Sequence, residues 1–195
     1  MAEKPQVIIV GGPNGSGKST IARNVVPAFG VEEFVNADVI ARGLSAAHPE
    51  TVAFQAGRIM LARLEELAAL RRDFAFETTL SARTYAATIQ RLCDDGWVFR
   101  LIFVTLRNAA LAVERVRSRV AGGGHSIPEA DIRRRFSRAH RNFHQLYMPL
   151  ASTWIAYDNS PENGAIPIAF GKRGLQPNII ESESWVRFCE ASNGK

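Results

Sequence analysis

Val7-Ile8-Ile9-Val10-Gly11-Gly12-Pro13-Asn14-Gly15-Ser16-Gly17-Lys18-Ser19-Thr20 passes from a β-prone apolar run through a glycine-rich loop into a helix-competent stretch. Positions 12–19 satisfy G-x-x-x-x-G-K-[ST], the Walker A pattern, with the strand in front and the helix behind that give the pattern its meaning. Glycine is required because bare backbone must wrap phosphate oxygens, so that successive N–H groups and the next helix N-terminus point at them. Lys18 is then expected to reach the β- and γ-phosphates and Ser19 a magnesium ion. A simple helix-capping turn would account for the glycines but has no use for Lys18. The expected nucleotide-binding set is Gly12, Pro13, Asn14, Gly15, Ser16, Gly17, Lys18, Ser19 and Thr20.

The 195 residues, 46% of them hydrophobic, suit one globular domain spanning 1–195. Cys93 and Cys189 lie far apart without metal-type spacing, so neither a disulfide framework nor a zinc site is indicated. Four strongly apolar residues precede Gly11, too few for a signal-peptide core, and no later run approaches membrane-spanning length; a soluble cytoplasmic protein without a membrane partner is expected. Twenty of the 24 basic residues are arginine, and the net charge is +5. Residues 100–141 hold ten arginines against only Glu114, Glu129 and Asp131. Clustered arginine suits bidentate recognition of phosphate. Nucleic acid competes as an explanation but is disfavoured, because no zinc module, glycine-aromatic motif or stacking series accompanies the cluster.

Short β-prone runs at 6–10, 33–36, 74–78, 98–106 and 154–157 alternate with helical stretches at 19–29, 49–72, 81–94, 109–120 and 129–147. That alternation predicts an α/β fold, a three-layer sandwich around a mainly parallel five-stranded sheet. Residues 165–170 add a possible final strand and 184–189 a terminal helix, whereas the Pro- and Gly-dense 160–178 region fits several paths. Gly122-Gly123-Gly124-His125-Ser126-Ile127-Pro128 reads as a hinge, making about 115–135 an arginine-rich lid.

The loop is spelled like that of ABC transporter ATPases, yet the chain has no Leu-Ser-Gly-Gly signature and no hydrophobic run ending in Asp-Glu. It also lacks the guanine-reading Asn-Lys-x-Asp and tandem helicase motifs. A small kinase using ATP and Mg2+ fits better. Asp38 then falls at the carboxyl end of the second run, where a carboxylate can take the acceptor's hydroxyl proton. On position alone Asp38 is equally an N-cap for a helix over 39–42. Glu77, with Thr78 and Thr79, stands at the tip of the third run, placed to hold a magnesium-bound water or the substrate, or to cap a helix. His125 in the hinge could touch a phosphate or lie idle on the surface. Arg115, Arg119, Arg134 and Arg135 flank the hinge as cations for a closing lid. A nucleotide-dependent binding module or nucleic-acid-associated ATPase is the alternative from another class.

Together with the loop, Phe34-Val35-Asn36-Ala37-Asp38, Ala56-Gly57-Arg58, Phe76-Glu77-Thr78-Thr79-Leu80-Ser81, Glu114-Arg115-Val116, Gly123-Gly124-His125-Ser126-Ile127-Pro128 and Tyr157-Asp158-Asn159-Ser160 resemble the zeta toxin family in order and spacing. The resemblance covers roughly residues 6–160 and implies a P-loop kinase that phosphorylates a sugar hydroxyl of UDP-N-acetylglucosamine, with a small antitoxin as a possible partner. It implies Asp38 as catalytic base, and Glu77 and Thr79 near the substrate; Asn36 and Thr78 complete the expected substrate-binding set, and Glu77 is also expected to serve the metal through water. Arg115 matches an arginine on the transferring phosphate, and Arg119 or Arg134 would stand in for a second. The toxins place an acid against the sugar where this chain reads Gly57-Arg58-Ile59-Met60-Leu61. Another UDP-sugar, another small alcohol or an antibiotic is therefore open as acceptor.

Overall fold

The computed structural model describes residues 4–123 and 126–192. Five parallel strands, β1 (Gln6–Gly11), β2 (Glu33–Val35), β3 (Phe74–Thr78), β4 (Val98–Thr105) and β5 (Thr153–Asp158), stand in the order β2-β3-β1-β4-β5. The sheet then continues through antiparallel β6 (Ile166–Lys172), which falls on the final strand expected over 165–170, and β7 (Asn178–Ile179), which was not expected. The reason is local. Only residues 159–165 join β5 to β6, too few for a crossover helix, so the chain turns back on itself.

Helices α1 (Lys18–Val25), α2 (Ala37–Leu44), α3 (Ala53–Ala69), α4 (Thr84–Asp94), α5 (Ala109–Ala121), α6 (Glu129–Asn142) and α7 (Ser182–Ser192) surround it. Alternation along β1 divides the core: Ile8 and Val10 pack with Ala22 and Val26 on one face, Val7 and Ile9 with Met60, Leu64 and Leu67 on the other. A third apolar cluster of Val113, Val116, Ile132 and Phe136 locks α5 to α6. The helix expected over 49–72 starts as a 3-10 turn, Pro49–Val52, and α6 runs on into a π turn, Phe143–Tyr147.

All the parallel strands end at one edge of the sheet, and polar groups from α6 are built into the layer beneath that edge. Asn142 Nδ2 donates to the Leu80 carbonyl at 2.7 Å, and Tyr147 Oη to that of Ala82 at 3.1 Å. Leu80 itself holds a left-handed φ of 54° with its side chain against Gly11. Its anchoring by Asn142 fixes the turn that follows β3. His140 is fully buried between Thr105 Oγ1 at 2.6 Å and the Phe136 carbonyl at 2.7 Å.

Burial lowers the pKa of His140 and of His144 to about 4, against the usual 6.5. As pH falls the unfolded chain takes up these protons first, so this stability is complete above pH 6.5 and drains away toward pH 4. For His140 the loss approaches about 3 kcal/mol. Urea unfolding of the wild type should therefore weaken between pH 6.5 and 4 more steeply than that of His140→Asn. Parallel pH profiles for the two proteins would contradict a neutral buried His140.

Candidate active site

The loop between β1 and α1 is shaped by what stands behind it. Gly12 and Gly17 adopt φ of 144° and 86°, and a Cβ on either would collide, with the Val104 carbonyl oxygen and the Asn159 side chain respectively. Asn159 is the brace: its Nδ2 donates to the Ser16 carbonyl at 2.9 Å, and its backbone N–H to the Thr105 carbonyl at 3.0 Å. The turn after β5 thus pins the phosphate loop to the end of β4. Within the loop, Asn14 Oδ1 and Ser16 Oγ are buried without a hydrogen-bond partner among the described residues. Buried polar atoms are rarely left so, and the Ser16 hydroxyl is free to donate to a phosphate oxygen.

Lys18 lies 7% exposed, with Nζ donating to the Pro13 carbonyl at 2.9 Å and standing 3.9 Å from Glu77 Oε1. Burial lowers its pKa, opposed by the charges of Glu77 and Asp38. Glu77 Oε2 accepts from Ser19 Oγ at 2.7 Å and from Asn36 Nδ2 at 2.8 Å. The other end of the Asn36 amide caps α2, its Oδ1 accepting from the backbone of Asp38 at 2.8 Å and of Val39 at 3.3 Å. This removes the capping alternative for Asp38. Asp38 occupies the first turn of α2, and its carboxylate makes no hydrogen bond or ion pair among the described residues.

A cavity of about 410 Å³ opens above the loop, lined by residues 14, 15 and 17–20, by Asn36, Asp38, Glu77, Thr78 and Thr79, and by Arg115, Arg119 and Arg135. A second of about 530 Å³ lies between α2, the start of α3 and the end of α5. The two share Ala37, Asp38 and Arg119. Arg134 departs from expectation: it pairs with Asp131 at 2.8 Å and is absent from both linings, because the position that flanks the buried Phe136 on the cavity side is Arg135. An exposed Arg117–Glu129–Arg133 set, with contacts of 2.7 and 2.8 Å, ties α5 to α6. His125 lies outside the described residues. Sequence reasoning missed the structural roles of Asn36 and Asn159, and also Met60 and Tyr85, which line the first cavity with Tyr85 Oη 3.9 Å from Met60 Sδ.

Comparisons place this geometry among known proteins. A family model described as "AAA domain" matches residues 7–142, more than half of the chain. A curated relative, an uncharacterized protein of Haemophilus influenzae, is 26% identical over 125 residues, 64% of this chain and 88% of that one. The AvrRxo1-ORF1:-ORF2 complex crystallised with ATP superposes with a TM-score of 0.74 at 16% identity, covering 96% of this chain and 64% of that one. This chain thus spans about two-thirds of the length of that neighbour. The PezAT toxin-antitoxin system of Streptococcus pneumoniae gives a TM-score of 0.62 at 15% identity over 99% of this chain and 88% of that one. The fold is that of the P-loop kinases. Among the described residues, no helix is long and apolar enough to cross a membrane.

Removing the brace should loosen the cradle without unfolding it. Asn159→Ala is expected to weaken ATP binding by about tenfold, the worth of one buried hydrogen bond, with the melting temperature within a few degrees of wild type. Unchanged affinity in a calorimetric titration would show that the loop holds its shape unaided.

Proposed function

The chain belongs to the AAA domain family, and from that membership and the site geometry we propose that it is an ATP-dependent small-molecule kinase. The carrying observation is the position of Asp38, its carboxylate unpaired among the described residues on the wall that joins the loop cavity to the second cavity. The triphosphate lies along the loop, with Lys18 on its β- and γ-phosphates, and the acceptor enters from the α2 side. Its hydroxyl oxygen bonds to the γ-phosphorus as the bond from that phosphorus to the bridging oxygen breaks, ADP departs, and the hydroxyl proton passes to Asp38. Arg115, Arg119 and Arg135, carried by α5 and α6, meet the charge that spreads over the equatorial oxygens. Residues 115–135 act as the lid of a single domain.

Ser19 and Glu77 offer oxygen donors 2.7 Å apart, a set that fits Mg2+, which keeps most of its waters and leans on substrate phosphates. Mg2+, when bound, neutralises phosphate charge at the transferring group. Until then Glu77 holds Ser19 and Lys18 in place.

The acceptor we favour is the hydroxyl of a UDP-activated sugar, as the zeta-like spacing implies, with Asn36, Thr78 and Thr79 beside it. Superposition on the PezAT toxin-antitoxin system supports a small antitoxin as partner, and a cytoplasmic setting belongs to the same proposal. Met60, from the stretch where the toxins carry an acid, lines the loop cavity together with Tyr85, which favours a sugar contact made by packing over one made by charge.

Asp38→Asn keeps size and hydrogen bonding but cannot take a proton. Transfer to the acceptor should fall by about 10²–10⁴-fold, with ATP affinity within about threefold of wild type. Full turnover by this variant would remove Asp38 from the chemistry.

A further inference from the structure

A parallel sheet is normally covered on both faces, yet on the α1 side the cover stops short of the last strands. Ala22 and Val26 pack over Ile8, Val10, Ala75, Ile102 and Val104, whereas Ile155 is only partly covered and Phe170 is 44% exposed. Register fixes what faces outward there. Cross-strand partners share a face of a sheet, so Arg100, Thr153 and Lys172 form one row across β4, β5 and β6. Ile102, Ile155 and Phe170 form the next row, about 7 Å further along the strands. Phe29 bounds the rows on the β4 side, with Arg100 Cζ 5.1 Å from its ring centroid, and Leu175 and Gln176 come from the turn after β6. These residues line a cavity of about 580 Å³ that shares no residue with the two cavities at the phosphate loop.

The first row holds two cations without a counter-charge. Arg100 is half-buried, its Nε donating to Gln6 Oε1 at 3.1 Å and its Nη1 to Thr153 Oγ1 at 3.3 Å, and both acceptors are neutral. Gln6 is fixed in turn, its Nε2 donating to the Phe29 carbonyl and to Asp73 Oδ2, each at 2.9 Å. The exposed Lys172 ammonium makes no hydrogen bond or ion pair among the described residues, and no Asp or Glu lines the cavity. A partly desolvated guanidinium is costly without an anion beside it, and one already held in place loses little freedom on binding one. We propose that this groove is a second ligand site, for a molecule with an apolar body and a carboxylate head. The head lies on Arg100 and Lys172, and the body over Ile102, Ile155 and Phe170 with Leu175 beside it. Such a volume suits a small organic ligand, with a body of about ten carbons. The same body without a carboxylate keeps the apolar contact and leaves the guanidinium bare.

The neutral fluorophore N-phenyl-1-naphthylamine serves as reporter, bound to the whole protein in the presence of Mg2+ and a non-hydrolysable ATP analogue that fills the loop cavity. It is displaced with decanoate, decanol, decylamine and 2-naphthoate. At least one carboxylate should displace the reporter at about tenfold lower concentration than decanol, with decylamine the weakest competitor. Stronger displacement by 2-naphthoate than by decanoate assigns a ring body, and the reverse a chain. Arg100→Gln and Lys172→Gln should each narrow the margin of the carboxylates over decanol, and Phe170→Ser should weaken all competitors alike. Because the Lys172 side chain is exposed, its variant keeps the test open if Arg100→Gln does not fold. Four results overturn the proposal: no saturable binding of the reporter, its release by the ATP analogue, no advantage of either carboxylate over decanol, or a margin unchanged in the charge variants.

Discussion

One carboxylate organises the site. Glu77, at the tip of β3, accepts from Ser19 on the phosphate loop and from Asn36 at the end of β2, with Lys18 at 3.9 Å. Through Asn36 the same group reaches α2, since the other end of that amide caps the helix and so fixes where Asp38 stands. Loop, strand tip and Asp38 are thereby held by a single chain of hydrogen bonds. Losing the Glu77 carboxylate would take a counter-charge from the buried Lys18 ammonium and the acceptor from the buried Asn36 amide, a costly arrangement.

A layer of packing supports this chain. Leu80, with its left-handed backbone, presses on Gly11 at the start of the loop, and Asn142 of α6 holds its carbonyl. The α5–α6 pair carries Arg115, Arg119 and Arg135 to the cavity, so the element that supplies cations also sets the turn after β3. Motion of that pair would be felt both at the arginine-lined wall of the cavity and at the turn after β3. The lowered pKa of Lys18 reflects how dry this centre is, and in such surroundings fixed charges act strongly on a polyphosphate.

Local signals carried much of this in the sequence. The Walker pattern needs only neighbouring residues, and β1, the loop and α1 follow from it; the alternation of runs gave the other four parallel strands. Of the extension, β6 was legible as the strand over 165–170, but its antiparallel direction and β7 were not, because seven residues rich in turn formers are compatible with several paths and only pairing with β5 selects one. Asp38 could not be told from a cap until Asn36 was seen to fill that role. Arg134 and Arg135 are neighbours in sequence, and which one faces the cavity depends on the rotation of α6 about its own axis, fixed by Ile132 and Phe136 in the core. The support given by Asn159 arises from a contact across 143 positions, which no local pattern records.

The central claim is that the loop cavity donates a phosphoryl group to a hydroxyl presented beside Asp38. Phosphorus NMR of the protein incubated with ATP, Mg2+ and UDP-N-acetylglucosamine reads this directly. A new phosphomonoester resonance on the sugar, growing in step with ADP, is the predicted result. ADP and inorganic phosphate alone, at a rate indifferent to the sugar, would contradict phosphoryl transfer to this acceptor.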